Sequence, residues 1–249
     1  MHVYIYDTFL SDKKFARILA KIEARITDLG LNGKIGRLGV TKKIFDLVKD
    51  EIKRGAKTII AVGNDETVEK IVRCMSGSET PLGIIPVGKN NLIAESLGIP
   101  AELEACDILS ARRVERLGLG VIGDFHFLSK ISTNSDNLKL LLDSGYSVEL
   151  KRSGPIISIV NLPTADIALP EGLCFSPRDG LLRLLIEGRE KRNVIFSRKN
   201  FESVFAFRKA TIKSAKPIIF NNLIKVSGAI EIEAKKNAIS VIVGKNRKF

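Results

Sequence analysis

KTIIAVGNDETVEKIVRCMSGSETPLGIIPVGKNNLIAESLGIP, residues 57 to 100, is the stretch whose reading decides the fold. Thr58 to Val62 is a short apolar, β-branched run of the kind that forms a buried strand, and Gly63-Asn64-Asp65 is a polar turn. A helix is predicted from about Glu66 to Met75. A second strand follows over Leu82 to Pro86, then a tight turn at Gly88 and a helix from Asn90. Two strand-to-helix turns so close in sequence place backbone N–H groups and helix N-termini side by side at the carboxyl edge of one sheet. Open α/β sheets bind phosphate-bearing ligands at that edge.

Outward from this stretch the pattern repeats on its amino-terminal side. His2 to Asp7 alternates as a first strand should. Ser11 or Asp12 is placed to cap a helix in which Phe15, Ile18, Leu19, Ile22, Ile26 and Leu29 recur at helical spacing up to Gly30. A short strand is expected over Lys34 to Leu38. Thr41 would then open a helix carrying Ile44, Leu47, Val48 and Ile52 to a stop at Gly55. Strand and helix alternating in units of this length imply parallel strands with right-handed crossovers.

Beyond Pro100 the rhythm changes. A helix is expected over Glu102 to Leu109. Strands follow over Arg113 to Ile122, Asp124 to Thr133, Tyr146 to Lys151 and Pro155 to Asn161, with one helical patch at Asn137 to Asp143. Four more strands are expected at Ser203 to Phe207, Ala210 to Ser214, Lys225 to Ile232 and Ala238 to Val243. The fold class is therefore α/β plus β: an amino-terminal doubly wound parallel α/β domain, residues 1–112, followed by a mostly antiparallel β-rich domain, residues 113–249.

With these residues in view, the chain resembles the diacylglycerol kinase catalytic-domain family, lipid kinases related in fold to NAD kinases and sphingosine kinases. That family has a GGDGT turn followed by a helix, then a strand ending in PxGTxN. Gly63, Asp65 and Thr67 stand at three positions of the first motif. Pro86, Gly88 and Asn91 match the second, and Leu97-Gly98-Ile99-Pro100 matches its usual exit. Asn64 and Glu66 replace two glycines, and Lys89 replaces the threonine. Asp179-Gly180-Leu181-Leu182 fits a further DGxLD-type turn, with Arg183 in place of the final acid. Two signatures are absent. The first strand ends in Asp7-Thr8-Phe9-Leu10-Ser11 rather than Asn-Pro and a small-residue turn. Val226-Ser227-Gly228-Ala229 stands where the family has DGE, whose Asp is taken as the general base.

The resemblance implies ATP and Mg²⁺ as cofactors and a lipid hydroxyl as acceptor. Gly63, Asn64, Asp65, Thr67, Gly88, Lys89 and Asn91 are the expected nucleotide-binding residues, with Asp65 the best contact for an ion or ribose. Asp65 and Glu231 are the catalytic candidates, Glu231 and Glu233 being the carboxylates nearest the missing DGE. Helix capping is the competing structural role of Asn64 and Asp65. A catalytically inactive relative that binds a nucleotide, lipid or protein partner is the alternative to a kinase.

Composition sets the remaining bounds. The 249 residues, 45% hydrophobic and 27% charged, suit a globular protein with a sizeable core. No apolar run reaches the ~18 residues of a membrane span. The opening MHVYIYD has no basic stretch leading into an apolar one, so a cytoplasmic protein is expected, peripheral at the membrane where it meets lipid. The net charge of +12 is uneven: residues 187 to 249 hold 15 Lys and Arg against 5 Asp and Glu, leaving 25 against 23 elsewhere. A basic carboxyl-terminal quarter suits an anionic membrane surface or a solvated face. Nucleic acid is the weaker partner, since no binding motif accompanies the charge. Cys74, Cys106 and Cys174 lack metal-ligand spacing and are expected as buried thiols, and neither His2 nor His126 suggests a metal site. No Walker sequence is present.

Overall fold

The computed structural model describes residues 1–37, 44–135, 138–150, 155–167, 169, 173–188 and 200–249. The chain forms two compact units. Met1–Leu117 and Asn237–Phe249 make the first, Gly118–Lys236 the second.

The first unit holds a parallel sheet with strand order β2-β1-β3-β4, formed by β1 (His2–Tyr6), β2 (Gly33–Arg37), β3 (Thr58–Gly63) and β4 (Leu82–Pro86). The carboxyl-terminal end of β14 (Ile224–Ile242) pairs in parallel with β4, Val241 opposite Leu82. All six residues of β3 are buried, as expected of a central parallel strand covered on both faces. Helices α1 (Ala16–Asp28) and α5 (Leu103–Ala111) pack together, and so do α2 (Ile44–Lys53) and α3 (Asp65–Met75). A fifth, short helix, α4 (Leu92–Ser96), follows β4. The α1 stripe buries Leu19, Ile22 and Ile26.

The second unit is antiparallel. One sheet has the order β12-β11-β10-β7, from β7 (Lys130–Thr133), β10 (Ile156–Val160), β11 (Leu182–Gly188) and β12 (Asn200–Phe207). Another brings together β8 (Leu138–Leu142), β9 (Ser147–Leu150), β13 (Lys209–Phe220) and the first part of β14. Residues from both, among them Ile131, Leu140, Ile159, Leu184, Ile212 and Phe220, share one buried core. Strand β5 (Val114–Ile122) runs out of the first unit and turns back as β6 (Phe125–Phe127). Thus the parallel α/β unit and the antiparallel β unit are both as read from the sequence.

Several local expectations change. Leu138 to Leu142 is a strand rather than a helical patch, with Leu138, Leu140 and Leu142 buried and Lys139 exposed. A short run of leucines fits either period, and cross-strand partners decided it. The two strands expected at 225–232 and 238–243 are one, β14. Lys235, Lys236 and Asn237 are exposed, Asn237 at φ 52°, and pairing continues past them, so the chain carries its last strand back into the first unit. The 1–112 and 113–249 division misses this return. Asp12 caps a 3₁₀ turn, Lys13–Phe15, which leads into α1 one turn later than expected. Cys74 and Cys106 are buried, with burial pushing each thiol up to about 11, but Cys174 is exposed. The expected cap Thr41, with Leu38, Asn137 and Lys151, lies outside the described residues.

Candidate functional site

At the carboxyl end of β3 the backbone must turn sharply into α3. Gly63 does so at φ 154°, and a Cβ there would lie 2.3 Å from Thr67 Oγ1, so only glycine fits. Asn64 is the N-cap of α3. Its Oδ1 accepts from Thr67 N, and its own N–H donates to Thr67 Oγ1, both at 3.2 Å, a reciprocal capping box.

Asp65, the next residue, serves the neighbouring helix. Its Oδ2 accepts from Leu92 N at 2.9 Å and its Oδ1 from Ile93 N at 3.0 Å, satisfying donors of the first turn of α4. Asp65 N donates to Asn90 O and Val87 N to Gly63 O, each at 2.9 Å. These four bonds clip the two corners into one piece.

In the second corner Gly88 takes φ 87° and Asn90 φ 63°. Asn91 Nδ2 donates to Gly88 O at 2.9 Å, while Asn91 Oδ1 is buried without a partner. Gly88, Lys89 and Asn90 are exposed. Among the described residues no acceptor faces the N–H groups of these three. Successive main-chain donors in a turn of this kind form a concavity suited to an anion. The Phe9 ring crowds the turn: its Cε2 lies 3.3 Å from where a Gly88 Cβ would stand, and Phe9 packs edge-on against Phe15 at 5.4 Å.

Under the corners lies a buried polar cluster that the sequence reading missed. Thr67, fully buried, donates its hydroxyl to Asp7 Oδ2 at 2.7 Å. Asp7, itself 5% exposed, also accepts from Thr8 N at 2.6 Å and from Lys70 Nζ at 3.4 Å. Burial alone would raise the Asp7 pKa. The hydrogen bonds from Thr67 and Thr8, with the Lys70 ammonium, outweigh burial and hold the carboxyl below its ordinary range. The only sequence signal was an acid ending a buried strand.

The structure thus brings Gly63, Asn64, Asp65, Gly88, Lys89 and Asn91 together, and gives two of the expected ligand contacts other work. Thr67 is sealed from any ligand and braces the turn. Asp65 has an accepted N–H on each carboxylate oxygen. Glu66 and Lys89 are exposed, so neither fills the corners. Glu231 belongs to the other unit, is exposed, and pairs with Lys209 at 2.9 Å. Asp179 accepts from Leu181 N at 2.7 Å and from Arg183 Nη2 at 2.6 Å, so this Asp-Gly turn is held by the very arginine that departs from the motif.

The fit to a triphosphate and to a metal differs. Gly63, which no larger residue could replace, and the donors of 88–90 suit phosphate oxygens. Among the described residues no group of three acidic, His or Cys side chains could hold a metal ion. No helix among them is long and apolar enough to cross a membrane.

Residues 3–122 match the family model described as the diacylglycerol kinase catalytic domain. A diacylglycerol kinase of Mycobacterium tuberculosis (strain ATCC 25618 / H37Rv) is 30% identical over 86 residues, 34% of this chain and 28% of that protein. One from Bacillus subtilis (strain 168) is 26% identical over 129 residues, 50% of this chain and 43% of that protein. These matches span less than half of either relative. A crystal structure described as a diacylglycerol kinase from Bacillus anthracis str. Sterne superposes with a TM-score of 0.76 at 17% identity, covering 99% of this chain and 97% of that one. At that identity the likeness is one of fold.

Proposed function

We propose, from the premise that residues 3–122 belong to the diacylglycerol kinase catalytic-domain family, that this chain binds ATP by its phosphates at the paired corners and transfers a phosphoryl group to a lipid hydroxyl. The observation that carries the reading is the clipped pair of turns, with the N–H groups of Gly88, Lys89 and Asn90 meeting no acceptor among the described residues. Phosphoryl transfer is chiefly positioning and charge stabilisation. Main-chain donors held by Asp65 and Asn91 supply the positioning. Lys89, exposed and without an ion pair among the described residues, supplies a cation beside them. Mg²⁺ would accompany the nucleotide as the counter-ion of its phosphates. The acceptor is a lipid reached from the cytoplasmic side.

A second reading, a relative that binds nucleotide without transferring phosphate, is favoured by one observation. The carboxylate oxygens of Asp65 already accept from α4, and Val226 to Ala229 offers no acid to take the acceptor's proton. Glu231, ion-paired to Lys209, has a structural role open to it. One experiment separates the readings. At ~100 times its dissociation constant, Mg-ATP should stabilise the chain by about 2.7 kcal/mol, and radiolabelled phosphate should pass from ATP to diacylglycerol or a sphingoid base. Stabilisation without transfer to a broad lipid panel leaves the second reading. Neither stabilisation nor transfer removes both.

A further inference from the structure

From Ser203 to Ile230 the sequence has no acidic residue, yet Arg208, Lys209, Lys213, Lys216 and Lys225 fall within it. Most of this segment is the β13–β14 hairpin. At its open end charge is balanced: Lys209 pairs with Glu231, and Glu233 stands opposite it across the strands. Toward the closed end balance is lost. No acidic side chain among the described residues pairs with Lys213, Lys216 or Lys225.

The same end carries exposed aliphatic surface. Leu223 is 70% exposed and Ile219 48%, while Ile218 and Phe220 on the opposite face are buried in the core. Ile219 lies directly opposite Lys225 in the register, so an apolar and a cationic side chain share the outward face. Asn221 and Asn222, at φ 49° and 56°, make the tight turn, which closes through Leu223 N to Phe220 O at 2.9 Å. The turn is fixed in place: Asn221 N donates to Ser132 O at 2.9 Å, Ser132 N to Asn221 Oδ1 at 2.8 Å, and Asn221 Nδ2 to Lys130 O at 3.1 Å. Pairing with β8 covers only Ala210 to Ser214, so the tip runs on as a two-stranded ribbon. The chain therefore holds Leu223 in solvent between lysines that no acidic side chain among the described residues pairs with.

We propose that this hairpin tip docks on an anionic lipid surface, with Leu223 and Ile219 entering the headgroup boundary and Lys216 and Lys225, then Lys213, facing lipid phosphates. Aliphatic anchors flanked by lysines match such a surface in both polarity and charge. A nucleic acid would instead be met by stacking side chains, and the tip exposes none. A second copy of the chain, paired tip to tip about a two-fold axis, would set lysine against lysine. The inference stands on the tip alone and holds whether or not phosphate is transferred.

The test is flotation of the full chain, without nucleotide, with vesicles of phosphatidylcholine alone or mixed with phosphatidylglycerol. Binding should require the anionic lipid and weaken with salt. Lys225→Gln should lower it by about fivefold, from the worth of one lysine near such a surface. Leu223→Ser should lower it by about tenfold, from loss of part of a leucine's burial. Both side chains are exposed, so the unfolding midpoint should stay put. The inference is overturned by no binding, by equal binding to neutral vesicles, or by variants that bind as well as the parent. Loss in the variants of RNA binding, or of a dimer seen by sedimentation, in place of vesicle binding overturns it too. Phosphorylation of a short-chain diacylglycerol in detergent, assayed in parallel, reports on the kinase reading separately, since tip variants should leave it unchanged.

Discussion

Asp7 and Thr67 are 60 positions apart in sequence and joined by a 2.7 Å hydrogen bond. The Gly63–Asn64 corner is braced by that bond, because the same threonine oxygen accepts from Asn64 N. Asp7 should therefore matter to stability in a pH-dependent way. Its folded pKa lies below the ordinary value of 3.8, so its contribution is complete above about pH 4 and is lost as pH falls through the folded value. Asp7→Asn, which sets an amide donor against existing donors, should cost about 1–3 kcal/mol at neutral pH. Below pH 4 the variant should lose less further stability than the parent, as urea denaturation across pH would show. Gly63→Ala is a second residue-scale test. With φ at 154° and a Cβ directed at Thr67 Oγ1, it should destabilise by about 1–3 kcal/mol or more. An alanine variant with an unchanged unfolding midpoint would show that the corner relaxes freely.

At the scale of elements, α3 and α4 differ in how they are held. Helix α3 carries its own capping box, so Asn64→Ala should cost about 1 kcal/mol. Helix α4 has five residues and no side-chain cap from its own N-cap residue. A helix that short has little stability of its own, and its first donors are satisfied by Asp65. Asp65→Ala should raise amide hydrogen exchange at Leu92 and Ile93 while leaving the body of β3 protected, and it should diminish stabilisation by ATP. Exchange unchanged at those two amides would mean that α4 is held by packing instead. The capping role of Asn64 was readable from residue order, whereas the reach of Asp65 to a different helix was not. It depends on β3 and β4 being neighbours in register, Gly63 opposite Pro86.

On the scale of the molecule, the path of β14 is the feature that local reading could not supply. Its last part and the residue after it place Ile239, Val241, Ile242 and Val243 in the core of the first unit. Each such side chain is worth about 2 kcal/mol when buried, so losing all four approaches the ~5–15 kcal/mol that holds a whole domain together. Truncation after Lys236 should thus leave a chain whose first unit, though it retains β1 to β4, fails to unfold cooperatively in a thermal melt. A truncated chain with a sharp transition and protected β4 amides would show that this strand is dispensable.

The alternation of strands and helices, the glycine corners and the basic carboxyl-terminal quarter were determined by the sequence itself, because each follows from local periodicity, from a backbone angle open mainly to glycine, or from composition. Tertiary structure decided which polar groups are left for a ligand. It hid Thr67 beneath the turn, committed Asp65 to α4, exposed the donors of Gly88 to Asn90 and Leu223 at the hairpin tip, and returned β14 to the first unit. Such outcomes turn on which distant groups share a hydrogen bond or a buried face, and chain order alone does not specify those pairings.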